Sequence, residues 1–191
     1  NRDTRMGLAR RDIPAVFLHK AVPKLAEFAY LTARFKNEAD FPILPGAVNI
    51  FFDGSFVSGS AFGLIMPGQE TEVSLGVDEG VKVEYRFLKR FRKGEGLVNK
   101  RVSEQFEHQI RVTNNRTRPV DLSVSDQFPL TSDKDLVVKA LQPQARENPR
   151  EVALDDESRI TWTFSLKPGE KRELPLAYLV EYPSARRVEG L

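Results

Sequence analysis

A chain of 191 residues, 40% hydrophobic and 29% charged, has the composition of a packed globular protein, and a chain of that order buries roughly 70% of its extended surface. Its 29 basic and 27 acidic side chains nearly cancel, which excludes a long-range field steering the whole molecule to nucleic acid. The absence of cysteine excludes disulfides and thiolate chemistry, and no apolar run approaches the ~20 residues that span a bilayer.

The chain opens NRDTRMGLARRD, with Asn1 first and no signal-peptide pattern, and reads as a piece of a longer protein. In VFLHKAVP, His19 takes a strand position with no evident partner. The segment VPKLAEFAYLTARFKN is ambiguous. Leu25, Phe28, Ala29, Thr32 and Phe35 fit a helical stripe, Ala29, Leu31, Ala33 and Phe35 fit a strand, and its alanines favour helix. Pro42 and Pro45 close it either way. Next, GAVNIFFDGSFVSGSAFG holds an Asp53-Gly54 turn signal flanked by Phe51, Phe52 and Phe56. Adjacent strand residues face opposite sides, so Phe51 or Phe52 points outward, and the three rings form a candidate surface contact. The serines here lack the Gly-x-Ser-x-Gly elbow of a nucleophile.

After the Pro67-Gly68 turn signal, Val81, Val83, Tyr85 and Phe87 alternate with Lys82, Glu84 and Arg86, the pattern of a strand with one face buried. RFLKRFRKGEGLVNKR follows, with seven basic side chains against Glu95 alone. Its cations fall mainly on the even, solvent-facing positions, with Leu88 out of phase. If this strand pairs with the one starting near Val102, Glu104 and Glu107 supply counter-charges worth about 0.2–1 kcal/mol per pair. The stretch therefore reads as a solvated strand face and its turn. The competing reading makes Arg86, Arg90 and Arg92 an anion contact with steeply salt-dependent binding. Gly94-Glu95-Gly96 has neither the third glycine nor the strand–helix setting of a dinucleotide site, and no Walker sequence exists. The loop KGEGLVNKR marks the expected boundary near residue 100.

Beyond it, Phe106, His108, Ile110 and Val112 alternate with polar residues, so His108 reads as a hydrogen-bonded core histidine. Asn114-Asn115 signals a turn, and Asn115-Arg116-Thr117 is a glycosylation sequon, relevant in a eukaryotic secretory setting. Val120, Leu122 and Val124 form another alternating strand. Trp162, Phe164 and Leu166 run into KPGEK, and Leu174, Leu176, Tyr178, Val180 and Tyr182 return from it, which reads as a hairpin. Asp126, Asp133, Asp135, Asp155, Asp156 and Glu157 are the acidic loop residues from which calcium could draw ligands. Asp is also a common turn former, and no metal or cofactor is assigned. Roughly ten short strands with turn chemistry between them predict an all-β sandwich.

Two blocks carry a resemblance. The first is HKAVPKLAEFAYLTARFKNEADFPILPGAVNIFFDGSFVSGSAFG with PGQETEVSLGVDEGVKVEYR. The second is IRVTNNRTRPVDLSVSDQFPLTSDKDLVV with TWTFSLKPGEKRELPLAYLVEYP. Through pieces such as Pro-Lys-Leu, Leu-Gly-Val-Asp and the Asn114, Pro119, Asp126, Pro129 series, the chain resembles the C-terminal domain of the mucoidy inhibitor A-like family, DUF4139, from about His19 to Pro183. The block from Ile110 to Pro129 is also similar to Ig-like repeats of bacterial surface proteins. The resemblance implies a mostly β chain, which tilts residues 25–36 toward strand. It further implies an upstream coiled coil as a partner region, a bacterial origin and a periplasmic or envelope role, and it transfers no catalytic residue.

The expected protein is mainly β, an antiparallel β-sandwich of two packed halves, 1–100 and 101–191, the second Ig-like. The expected function is a non-enzymatic protein-interaction or scaffold module, with a carbohydrate-binding module and then a hydrolase as alternatives. A protein partner or homo-oligomer fits this reading; nucleic acid and a transmembrane segment do not.

Overall fold

The computed structural model describes residues 10–52, 54–93, 101–144 and 150–185. The described residues form eleven strands and no helix: β1 Ala15–Ala21, β2 Phe28–Lys36, β3 Gly46–Phe52, β4 Ser55–Phe62, β5 Glu70–Lys93, β6 Arg101–Asn114, β7 Val120–Gln127, β8 Val137–Gln142, β9 Val152–Leu154, β10 Arg159–Leu166 and β11 Lys171–Pro183. Nine join one open sheet in the order β8-β11-β6-β5-β2-β1-β7-β10-β9, and β3 and β4 form a separate pair. The strand pairings defined among the described residues are antiparallel except β1 with β7, where His19 lies opposite Leu122 and Ala21 opposite Val124. The chain is therefore mainly β, as its period-two alternation requires.

The ambiguous segment is strand β2, with Ala29, Leu31 and Ala33 buried in alternation. Tertiary burial of that face overrides the helix preference of its alanines. The turn at 22–26 before it is closed by the Leu25 and Ala26 N–H groups donating to the Val22 carbonyl.

KPGEK does not close a hairpin. β10 pairs with β7 and β9, whereas β11 pairs with β6 and β8. Pro168-Gly169 is still a turn, with Gly169 at φ 75° and the Glu170 N–H donating to the Lys167 carbonyl. It hands the chain to a different part of the sheet because the apolar faces of β10 and β11 enter the same core while their edges pair elsewhere.

By residue contacts the chain divides into two units, Asn1–Leu18 with Leu31–Gly76 and His19–Tyr30 with Val77–Leu191. The boundary expected at KGEGLVNKR falls largely on 94–100, outside the described residues. In the first unit, β3 and β4 form a hairpin with Gly54 at φ 77°, a left-handed conformation that glycine adopts without strain. Asn37 pins the surrounding loops: its Nδ2 donates to the Phe41 and Ile65 carbonyls, and its Oδ1 accepts from the Ala39 N–H. The second unit holds the main core, in which Ile110, Leu122, Val124, Ile160 and Leu166 are fully buried. Each such aliphatic side chain contributes about 1.5–3 kcal/mol on leaving water.

Candidate functional site

Strand β5 positions much of the distinctive chemistry. Opposite β6, Val81, Val83, Tyr85 and Phe87 face Asn114, Val112, Ile110 and His108 in turn. The register then shifts between Phe87 and Lys89, leaving Leu88 as the extra residue of a β-bulge. That slip exchanges the faces. Arg86, before it, lies opposite Gln109, whereas Arg90 and Arg92, after it, lie opposite Phe106 and Glu104, two buried residues. The three arginines thus do not share one solvent face, and the expected single stripe is divided by the bulge.

Their partners are carboxylates. Glu104 is 1% exposed; it accepts from Arg90 Nε at 2.5 Å and from the Tyr182 hydroxyl at 2.6 Å, with Arg92 Nε 3.7 Å away. Burial pushes the Glu104 carboxyl upward, but the Tyr182 hydroxyl and Arg90 guanidinium more than reverse it, so the acid ends below its ordinary value. Lys89 reaches Glu107 at 3.4 Å, and Arg86 reaches Glu84 at 3.0 Å. Glu104 and Glu107 are the counter-charges foreseen from the sequence, with Glu104 far deeper than a surface pair.

A second buried network joins His19 of β1 to Asp78 of β5. His19 Nε2 lies 2.8 Å from Asp78 Oδ2, so His19 has the partner that its local sequence did not reveal. Arg116 covers the same carboxylate, with Nε 2.9 Å from Oδ1 and 3.1 Å from Oδ2, and the Gly80 N–H donates to Oδ1 at 2.8 Å. Burial alone would raise the pKa of Asp78, yet the bonds from Arg116 and His19 outweigh it and the net shift is downward. Gly80 is glycine for a steric reason: a Cβ there would collide with the Arg116 side chain. Asn114, also buried, fastens the neighbouring turns, its Nδ2 donating to the Arg118, Leu166 and Lys167 carbonyls.

His108 sits on the core side of β6 but is not hydrogen-bonded. Neither ring nitrogen has a partner among the described residues, because the rings of Tyr85, Phe87 and Tyr178 surround it with centroids at 5.3, 5.3 and 5.9 Å. Burial, with Lys24 nearby, lowers its basicity. Asp126 faces inward from β7 at 2% exposure, and burial raises its acid. It helps to line a pocket of about 350 Å³ with Val22, Lys24, Leu25, Ser125, Gln127 and Arg159. Sequence reasoning treated Asp126 only as a calcium or turn residue. Lys24 and Leu25 of the Pro-Lys-Leu piece and Asp126, both pieces that carried the resemblance, line this pocket together.

The remaining acidic candidates shape their own turns. Asp133 Oδ1 accepts from the Asp135 N–H, and Asp155 Oδ1 accepts from the Glu157 and Arg159 N–H groups. Among the described residues no three His, Asp or Glu side chains gather as a cation site. No helix there is long and apolar enough to cross a membrane.

On the β3–β4 hairpin, Phe51 and Phe56 are register partners at 62% and 60% exposure, their rings 5.6 Å apart and edge to face. Phe52 faces the other way and packs on Phe17 at 6.5 Å. The opposite-face expectation for Phe51 and Phe52 is realised at this bend, where a register shift lies between Ile50 and Phe51.

Residues 8–184 match the family described as "Domain of unknown function (DUF4139)". A curated relative, "Protein F37C4.5" of Caenorhabditis elegans, is 31% identical over 174 residues, which cover 87% of this chain and 31% of that protein. The chain thus spans about a third of that relative. No solved structure matches the chain.

Proposed function

The chain belongs to the DUF4139 family, and we propose that it is a non-enzymatic protein-interaction module of a longer protein, docking through the tip of the β3–β4 hairpin. The observation that carries this reading is the pair Phe51 and Phe56, both about 60% exposed and packed edge to face at the end of a two-stranded element. Burying two such rings against a partner offers about 2–4 kcal/mol, and aromatic residues dominate the energetics of many interfaces.

Two further observations support a non-enzymatic role. His19 is spent on Asp78, with Arg116 closing the rest of that carboxylate, so the pair meets the distance of a catalytic dyad without its access. The nitrogens of His108 are enclosed by aromatic rings. Protein is favoured over carbohydrate as the partner because the edge-to-face pair makes a ridge rather than the flat platform on which a sugar ring stacks. We read the architecture as a sandwich with an Ig-like C-terminal half; what supports this is one core drawing on β5, β6 and β11 as well as β7 and β10, which are not all neighbours in the sheet. An upstream coiled coil as the partner region and a place at a bacterial envelope are supported by the family resemblance alone.

The test is purification of the full-length protein from its own cells, wild type against the Phe51→Ser/Phe56→Ser double variant. A specific companion, another protein or a second copy, is expected with the wild type and lost from the variant at unchanged melting temperature. Recovery of both as isolated monomers overturns the reading.

A further inference from the structure

The turn that joins β1 to β2 projects the most exposed large apolar side chain among the described residues: Leu25 is 84% exposed. The turn is held at both ends. The Leu25 and Ala26 N–H groups donate to the Val22 carbonyl, and Glu27 Oε1 accepts from the Tyr85 N–H at 2.5 Å, which ties the end of the turn to β5. A large apolar group fixed in water forgoes the gain of burial and points to a contact surface. Val22, also exposed, and Leu25 line two hollows at once and form the ridge between them. Lys20, Ala26 and Tyr30 wall the smaller, of about 280 Å³; Lys24, Gln127 and Arg159 wall the larger, of about 350 Å³. All of these residues belong to the second unit, whereas Phe51 and Phe56 belong to the first.

The charges beside the ridge select its occupant. Lys24 is exposed on the turn itself. At the other wall, Gln127 Nε2 donates to the Glu157 carbonyl, which sets the exposed acidic turn of Asp155, Asp156 and Glu157 at the rim of the larger hollow. The Glu157 side chain pairs with Arg159 at 2.9 Å yet stays 71% exposed. An anionic membrane is repelled by that acidic turn, and a small molecule in either hollow leaves Leu25 in water. One face therefore carries an apolar knob beside an apolar-walled hollow, and a cation beside an acidic turn. A surface that bears both halves of a fit suits a two-fold contact between identical chains, in which residue i meets j and j meets i.

We propose that this face joins two copies of the chain, Leu25 of each copy seated in the larger hollow of the other and Lys24 of each paired with Glu157 of the other. Burial of the two ridges supplies the affinity, and the two ion pairs fix the register.

Sedimentation equilibrium of the 191-residue chain tests the proposal. The average mass is expected to rise from 21.7 kDa toward twice that value as concentration increases from micromolar to millimolar. Leu25→Glu is expected to raise the dissociation constant at least about tenfold at unchanged melting temperature. Lys24→Glu and Glu157→Lys each set like charges together at both ion pairs, so either variant alone associates more weakly. An equimolar mixture of the two makes unlike pairs at both, and association returns to the wild-type constant. The Phe51→Ser/Phe56→Ser variant keeps that constant, which separates this result from the fate of the hairpin. A wild-type chain that stays monomeric throughout, full association of Leu25→Glu, no rescue in the mixture, or loss of the dimer in the hairpin variant overturns the proposal.

Discussion

At the scale of single residues, the fold is fastened by buried polar groups whose partners are remote in sequence. Asp78 meets His19 across 59 positions and Arg116 across 38, and Gly80 leaves the space through which Arg116 passes. Gly80→Ala is expected to displace the guanidinium and cost about 1–3 kcal/mol, the loss of a charge-assisted bond to a buried carboxylate. Chemical denaturation measures it, and an unchanged midpoint would remove Arg116 from the network. Such pairs are not legible in one sequence, because local spacing carries no information about a contact 59 residues away. His19 accordingly read as partnerless, and His108, correctly placed on the core side by its phase with Phe106 and Ile110, was wrongly expected to find a hydrogen bond.

The titrating groups oppose one another. Glu104 and Asp78 lie below their ordinary values of 4.5 and 3.8, so their stabilisation is present above those values and is lost as pH falls through their lowered folded values. Asp126 is shifted upward from 3.8, so the native state holds its proton more tightly and stability falls as pH rises from that value through the raised one. Denaturation midpoints across the acidic range are therefore expected to peak at weakly acidic pH. Asp126→Asn should remove the decline on the neutral side and leave the steep acid side intact. A wild-type curve that rises steadily to neutrality contradicts the buried charge at Asp126.

At the scale of elements, alternation located the strands because half-buried strands write period two into the sequence. Leu88 stood out of phase in that pattern, and the structure explains it as the bulge that places the exposed Arg90 and Arg92 on the same face as buried Glu104. Deleting Leu88 is expected to realign the strand, swing both arginines away and leave Glu104 buried without its cation. A loss of about 3–5 kcal/mol follows, the cost of breaking a buried pair by removing one partner. A deletion variant of near-native stability would show that the slip is dispensable. Pairing was less legible than strand existence. KPGEK has real turn chemistry, but a turn fixes only chain direction, and the choice of neighbour for β10 and β11 was settled by edges and core contacts far along the chain.

At the scale of the whole molecule, the absence of cysteine sets aside thiol chemistry, and the family resemblance read from about His19 to Pro183 is matched by the family over residues 8–184. The β3–β4 hairpin was partly legible: Asp53-Gly54 and the three phenylalanines signal it, but only the bend at Ile50/Phe51 brings Phe51 and Phe56 together on one side. The pocket at Asp126 was not legible, since its walls come from a turn near residue 24, β7 and the start of β10.

The most direct measurement is site-specific photo-cross-linking in cells, with a reactive phenylalanine analogue at position 56 of the full-length protein and, as control, at exposed Thr117. The account predicts a discrete adduct from position 56 that the Phe51→Ser change suppresses and that position 117 does not give. Equal, diffuse labelling from both positions, or none from position 56, would contradict it.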